Sequence, residues 1–308
     1  FRWVVVHESL FSFSSKIERL TIVLEVIFLK PAILLQSDFS LTWGAVASMK
    51  GVIKTVDPEL EIIDICHDIP KFNTFVASYF LRQVLPYWPA NTIAVSVVDP
   101  GVGTPRKAAI AKMHGGQIVI TPDNGTLTHM KKHVGSVREI DDSFDLRGAG
   151  SVFDGRDKFA YVAALLASGQ KKFEEIGHEY DISEIIECEE YNIQPKLEKN
   201  KVQGFVMMEN KHFGGIEFNI KNRDFDNCDF NFGDHVQIVI TREKHVVYHD
   251  IVEYNKAFVF VPIGKPILYP GSSGFMSLDV NQGSLLEKYP LIDMGKEYEV
   301  IITKDKDD

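Results

Sequence analysis

The sequence predicts an α/β protein: an N-terminal, largely parallel α/β sheet domain followed by a smaller antiparallel, β-rich, barrel-like domain. Three observations carry this. From residue 30 to about residue 177, short apolar, β-branched runs alternate with segments of helical spacing. A stretch rich in Glu, Asn and Lys then breaks the rhythm, and beyond it come only short alternating runs separated by turn residues. Expected boundaries are 1–29 for an N-terminal extension, 30–181 for the α/β domain, 182–201 for a linker containing Pro195, and 202–308 for the β-rich domain.

Taken in order, residues 31–36 (PAILLQ) read as a buried strand. Residues 41–55 have the helical spacing of Ala45, Met49 and Ile53, and 60–65 (LEIIDI) form a second strand, which completes a βαβ unit. Residues 73–84 (NTFVASYFLRQV) are a further helix, 92–98 and 117–120 further strands, and 157–167 another helix. Strands separated by helices of this length favour a parallel sheet covered on both faces. In the second half, strands are expected at 202–208, 236–241, 245–249, 257–261 and 275–280, with no strong helix and no internal repeat.

Composition narrows the function. The chain has 308 residues and a formal net charge of −10, and its basic pairs, Lys131-Lys132 and Lys171-Lys172, make no stripe that would follow a phosphate backbone. Nucleic acid is therefore not an expected partner. Three widely spaced cysteines, Cys66, Cys188 and Cys228, suggest neither a disulfide framework nor a thiolate metal site, which fits a reducing, cytoplasmic setting. The apolar run at 20–29 (LTIVLEVIFL) is interrupted by Glu25 and too short to span a bilayer, so no membrane association is expected. Histidines are scattered, with no pair at chelating spacing on a helix, so no metal is expected.

In an open α/β sheet the ligand crevice lies at the carboxyl ends of the strands. Three expected strands end in carboxylates there: Asp38, Asp99 and the Asp123 of Asp123-Asn124-Gly125. After Asp99 the chain turns through Pro100-Gly101-Val102-Gly103-Thr104, so backbone can approach a ligand closely, and Asp99 and Arg106 can pair and fix each other. The loop lacks the Gly-Lys-Ser/Thr ending of a phosphate loop. Ahead of the last helix, Asp157 is expected to cap it and Arg156 to pair with a neighbouring acid.

The motifs SDF (37–39), MKGVI (49–53), DICHDIP (64–70), VVDPGVGTPR (97–106), TPDNGTL (121–127) and FDGRDKF (153–159), in this order, resemble the S-adenosyl-L-methionine hydroxide adenosyltransferase family, related to the fluorinase and chlorinase enzymes. The resemblance runs from about residue 30 to the C-terminus. It implies a trimer with active sites between subunits, and displacement at ribose C5′ of S-adenosylmethionine without a further cofactor. Water as nucleophile gives adenosine and methionine; halide gives a halogenated nucleoside. It further implies that Asp38 accepts the ribose hydroxyls, that Asp99 and Arg106 belong to an Asp-Arg-His set for hydroxide formation, and that Asn281 with the Gln282 backbone meets adenine. Phe72 falls where relatives place an aromatic near the substrate, and Ser272 and Ser273 where halogenases contact the methionine carboxylate.

This sequence departs from the family pattern at several places. Asp154 stands where the family has a histidine before Gly-Arg-Asp. The FGN element is Phe213-Gly214-Gly215, Asn210 occupies the acidic position before it, and Ser273 replaces the halogenases' arginine. Three readings follow. The leading one is a hydrolase using Asp99, Arg106 and Asp154. The next is an adenosine-binding module that has lost turnover, and the last a halogenase, disfavoured because an added carboxylate repels a halide.

Overall fold

The computed structural model describes residues 30–146 and 152–305. The expected extension at 1–29 lies outside the described residues.

The first half is built around two central strands whose every residue is buried. Strand β1 (Ile33–Ser37) feeds helix α1 (Ala45–Val56), β2 (Ile62–Cys66), helix α2 (Thr74–Val84) and β3 (Ile93–Val97), and β1 and β3 expose nothing on either face. Strands sandwiched between helices cannot alternate polar and apolar side chains, which is why their sequence reads as continuous Ile, Leu and Val. The chain continues through β4 (Ala108–Met113), β5 (Ile118–Pro122), β6 (Val134–Ile140), helix α3 (Tyr161–Ala167) and β7 (Gly177–Tyr180). These make a seven-stranded sheet of order β2-β1-β3-β5-β4-β6-β7. Its β2-β1-β3-β5 half is parallel, while β4, β6 and β7 add antiparallel. One face packs on Met49 and Ile53 of α1 with Phe159 and Val162, the other on Leu81, Leu127 and Met130. Each such side chain fully removed from water contributes roughly 1.5–3 kcal/mol, so the centre of the sheet is the rigid frame from which the site hangs.

Residues 182–201 carry two short 3₁₀ turns, Ile182–Glu184 and Glu189–Asn192, and then β8 (Lys196–Glu198), which pairs with β9 (Lys201–Asn210). After β10 (Gly215–Lys221) and the short helix α4 (Asn222–Asp226) come β11 (His235–Arg242), β12 (His245–Tyr254), β13 (Pro266–Pro270) and β14 (Phe275–Val280). Helix α5 (Leu285–Lys288) and β15 (Gly295–Lys304) complete the chain. Because β10 pairs with both β14 and β9, strands β9 to β15 close into a barrel with β8 outside it. Pairing is antiparallel except between β12 and β13. The interior is one apolar cluster around Phe218, Phe225, Tyr248 and Leu278.

One expected strand is absent. Residues 257–261 hold a 3₁₀ turn at Phe258–Phe260, followed by Pro262, which has no N–H to give a ladder. The amide nitrogen of Asn281 donates instead to the carbonyls of Phe258 (3.1 Å) and Val261 (2.8 Å). The barrel sits against α2 through Val76, Ala77 and Tyr79, which pack with Phe205, Met207 and Phe275.

Candidate active site

The carboxyl ends of β1, β3 and β5 lie side by side, so Asp38, Asp99 and Asp123 all start from one edge of the sheet. Their settings differ. Asp123 is buried, accepting from Tyr180 Oη (2.9 Å) and the Ile186 amide (3.0 Å), and burial raises its pKa. It ties the 180–186 segment to the sheet. Its neighbour Asn124 donates to the Val98 carbonyl (2.9 Å), which fixes the backbone just ahead of Asp99.

Asp99 and Arg106 pair as the loop between them predicts. Arg106 Nε lies 3.0 Å from both Asp99 carboxylate oxygens, and its Nη2 donates to Oδ2 as well. The same Nη2 donates to Asp154 Oδ2 at 2.5 Å, so one guanidinium holds two carboxylates, stacked over the Phe159 ring at 5.5 Å. The three side chains are only 6–16% exposed. Burial alone would lower the Arg106 pKa; the two carboxylates outweigh it and raise it further. Like-charge repulsion between Asp99 and Asp154 is thereby offset by the cation between them. Asp154 Oδ1 accepts no hydrogen bond among the described residues and is free to take one from water.

The local chain explains why Asp154 arrives there. It stands at the start of a π-helical turn, Gly155–Ala160, that leads into α3, and Gly155 lies where a Cβ would come within 3.1 Å of Phe153 and Val97. The expected Asp157 cap is not made: that turn has no side-chain cap, and Asp157 is instead the buried partner of Arg156 (2.6 and 2.8 Å). Gly103, at φ +80°, gives the loop its left-handed bend.

Asp38 accepts from the Phe72 amide (2.9 Å), and Phe72 itself is two-thirds exposed at φ +65°, a conformation that costs a non-glycine residue energy. A chain of hydrogen bonds that the sequence reading missed lies behind Asp38. Ser37 Oγ meets His67 Nδ1 at 2.7 Å, and His67 Nε2 meets Asp64 Oδ1 at 3.1 Å. Ser37 is fully buried, so this is no nucleophile triad; it locks the end of β1 to β2 and orients the loop bearing Asp38. The His in DICHDIP is the signal that could have shown it.

The C-terminal residues gather elsewhere. Asn210, Phe213, Phe258, Asp279, Asn281 and Gln282 line a pocket of about 700 Å³ at the barrel rim. The Asn281 amide builds its wall, and Gln282 adopts φ +50°. Asn210 Oδ1 accepts from the Phe213 amide (3.1 Å), shaping the FGG turn. Ser272 and Ser273 lie apart from it in the turn between β13 and β14, where the Ser273 hydroxyl joins a buried cluster with Tyr79 and Glu217. None of Asp38, Asp99, Arg106 or Asp154 lines the barrel pocket.

The structure thus combines a parallel sheet edge carrying an acid–guanidinium–acid cluster with a barrel that holds an aromatic and amide-lined pocket. The SAM hydroxide adenosyltransferase N-terminal and C-terminal domain models match residues 33–177 and 210–295, so the chain belongs to that family. An (R)-S-adenosyl-L-methionine hydrolase of Methanocaldococcus jannaschii is 32% identical over 203 residues, 61% of this chain and 77% of that protein. One from Salinispora arenicola is 29% identical over 257 residues (82% and 91%), and a fluorinase of Actinopolyspora mzabensis 23% over 290 (85% and 94%). Among solved structures, an uncharacterized conserved protein from Thermotoga maritima matches with a TM-score of 0.77 at 32% identity, covering 88% of this chain and 99% of that one.

Proposed function

We propose that this protein hydrolyses S-adenosyl-L-methionine to adenosine and L-methionine. The observation that carries the reading is the Asp99–Arg106–Asp154 cluster at the sheet edge, in a chain of this family whose relatives include several named hydrolases. Water attacks ribose C5′, the C5′–S bond breaks with its electron pair going to sulfur, and the proton of the attacking water passes to a carboxylate and then to solvent. The sulfonium is its own leaving group, so no further cofactor is called for. The enzyme has to hold a weak nucleophile in line and limit competing water.

In this reading Arg106 fixes both carboxylates, Asp154 with its open oxygen orients and polarises the water, and Asp99 completes the anionic field. Asp38 takes the ribose hydroxyls, with Phe72 beside it. Asn281, Gln282, Phe213 and Asn210 form the adenine pocket, and Ser272 and Ser273 face the methionine end. The cluster carries two acids to one cation, which disfavours a halide nucleophile.

Because the barrel pocket shares no lining residue with the sheet-edge cluster, the reading includes a homotrimer whose sites combine the α/β domain of one subunit with the barrel of another. The net charge of −10 and three free cysteines support a protein without nucleic-acid partners in the reducing cytoplasm, and among the described residues no helix is long and apolar enough to cross a membrane. Chromatography of products from purified protein and S-adenosylmethionine, with and without chloride, tests the activity. Adenosine and methionine in both buffers are expected; a chloride-dependent nucleoside, or bound adenosine without product, contradicts it. Mixing Asp99→Asn with Asn281→Ala subunits tests the shared site: activity is expected to reappear on co-assembly, and its absence overturns the shared site.

A further inference from the structure

Asp279 lies on β14 and lines the barrel pocket together with Asn281 and Phe213 of the FGG turn. Its Oδ2 accepts from Tyr269 Oη at 2.7 Å; Oδ1 accepts no hydrogen bond among the described residues. A Cβ built on Gly215 would fall 1.7 Å from Asp279 Oδ1 and 2.2 Å from its Cγ. The carboxyl therefore stands in the space that a side chain at 215 would fill, the position where the FGN element carries asparagine. The glycine at 215 and the acid at 279 are two halves of one exchange: an amide given up on β10, a carboxylate supplied from β14.

We propose that Asp279 reads the amino edge of the substrate's purine, accepting its exocyclic N–H on Oδ1 while Tyr269 holds Oδ2. This rests on the reading of the barrel pocket as the nucleobase site. Among the described residues the acid has no partner of opposite charge. Burial pushes its pKa up to about 6, the Glu217 charge adds to the shift, and only the Tyr269 hydrogen bond opposes it. A buried acid left uncompensated inside a pocket is the arrangement expected where a ligand donor completes it. The charge selects against a base with a carbonyl at that edge, because two acceptors would face each other.

The test is calorimetric titration of the full-length protein with adenosine, inosine and unsubstituted purine riboside, on wild type, Asp279→Asn and Gly215→Ala. Wild type is expected to bind adenosine about tenfold or more tightly than the other two, the worth of a charge-assisted hydrogen bond. Asp279→Asn, whose amide can also donate to a carbonyl, brings adenosine and inosine within about threefold of each other. Gly215→Ala, which keeps the acid but displaces its carboxyl, lowers adenosine affinity about tenfold. Purine riboside bound by wild type as tightly as adenosine overturns the inference, and that arm needs no variant to fold. So does an unchanged adenosine-to-inosine ratio in both variants while wild type binds adenosine, an outcome that leaves the hydrolase reading standing. A wild type that binds none of the three nucleosides overturns the reading of the barrel pocket as the nucleobase site and this inference together.

Discussion

The sheet edge and the barrel pocket both hold buried acids, but they neutralise them differently. At the edge, Asp99 and Asp154 share one guanidinium that reaches three of their four oxygens. In and beside the pocket, Asp279 is held by the Tyr269 phenol and Glu217 by the Tyr79 phenol and the Ser273 hydroxyl, with Arg82 contributing only a field at Glu217, and burial raises the pKa of both acids. The first arrangement carries its countercharge within the fold, and its geometry is fixed by it. The second leaves Asp279 with a single phenol and no countercharge among the described residues, which costs stability. Folding energy therefore supports the sheet-edge cluster and opposes the acid in the barrel pocket, and substitutions should separate along that line.

The largest effect is expected at the shared cation. Arg106→Ala leaves two adjacent buried carboxylates uncompensated, and should lower kcat about 10³-fold and depress Tm, since breaking a buried pair costs roughly 3–5 kcal/mol. Steady-state kinetics with thermal melts check both; wild-type stability in this variant would break the comparison. Next, Asp99→Asn should lower turnover about 10²-fold while adenosine affinity changes less than about threefold, and Asp38→Ala should do the reverse, weakening nucleoside binding about tenfold. Equal effects on kcat and Kd from both would contradict the division of roles. Asp154→Asn is expected to cost about tenfold in kcat, whereas Asp154→His retains a proton acceptor and most of the rate.

The smallest effect is on stability. Asp279 has an ordinary pKa of 3.8 when unfolded and about 6 when folded. The folded state therefore holds a proton that the unfolded chain releases, so the stabilisation is complete below pH 3.8 and is lost as pH rises through 6. Wild type minus Asp279→Asn, measured by denaturant melts from pH 4 to 8, should show a relative loss on the order of 1 kcal/mol with rising pH. A gain in place of that loss would place a cation beside the acid and erase the contrast between the two regions.

The sequence showed the parallel centre because β1 and β3, buried on both faces, must be continuous apolar runs. It hid β4 (AAIAKM), whose alanines favour helix, because pairing with β5 and β6 decides its conformation. Residues 257–261 (AFVFV) have strand propensity, yet Pro262 and the Asn281 amide fold them into a turn. At the site, Asp99 and Arg106 were legible because they lie seven positions apart across a glycine turn. That Asp154 joins them from 48 residues beyond Arg106 depends on the packing of α3 against the sheet. Asp279 reads as an ordinary strand acid; only the adjacency of β10 and β14 puts it over Gly215.

The most direct test of the central claim is to run the reaction in ¹⁸O-enriched water and weigh the nucleoside product by mass spectrometry. Attack of water at C5′ by the Asp99–Arg106–Asp154 edge predicts adenosine carrying one ¹⁸O in its 5′-hydroxyl, with unlabelled methionine. Unlabelled adenosine, or no adenosine from folded protein that binds S-adenosylmethionine, would contradict it.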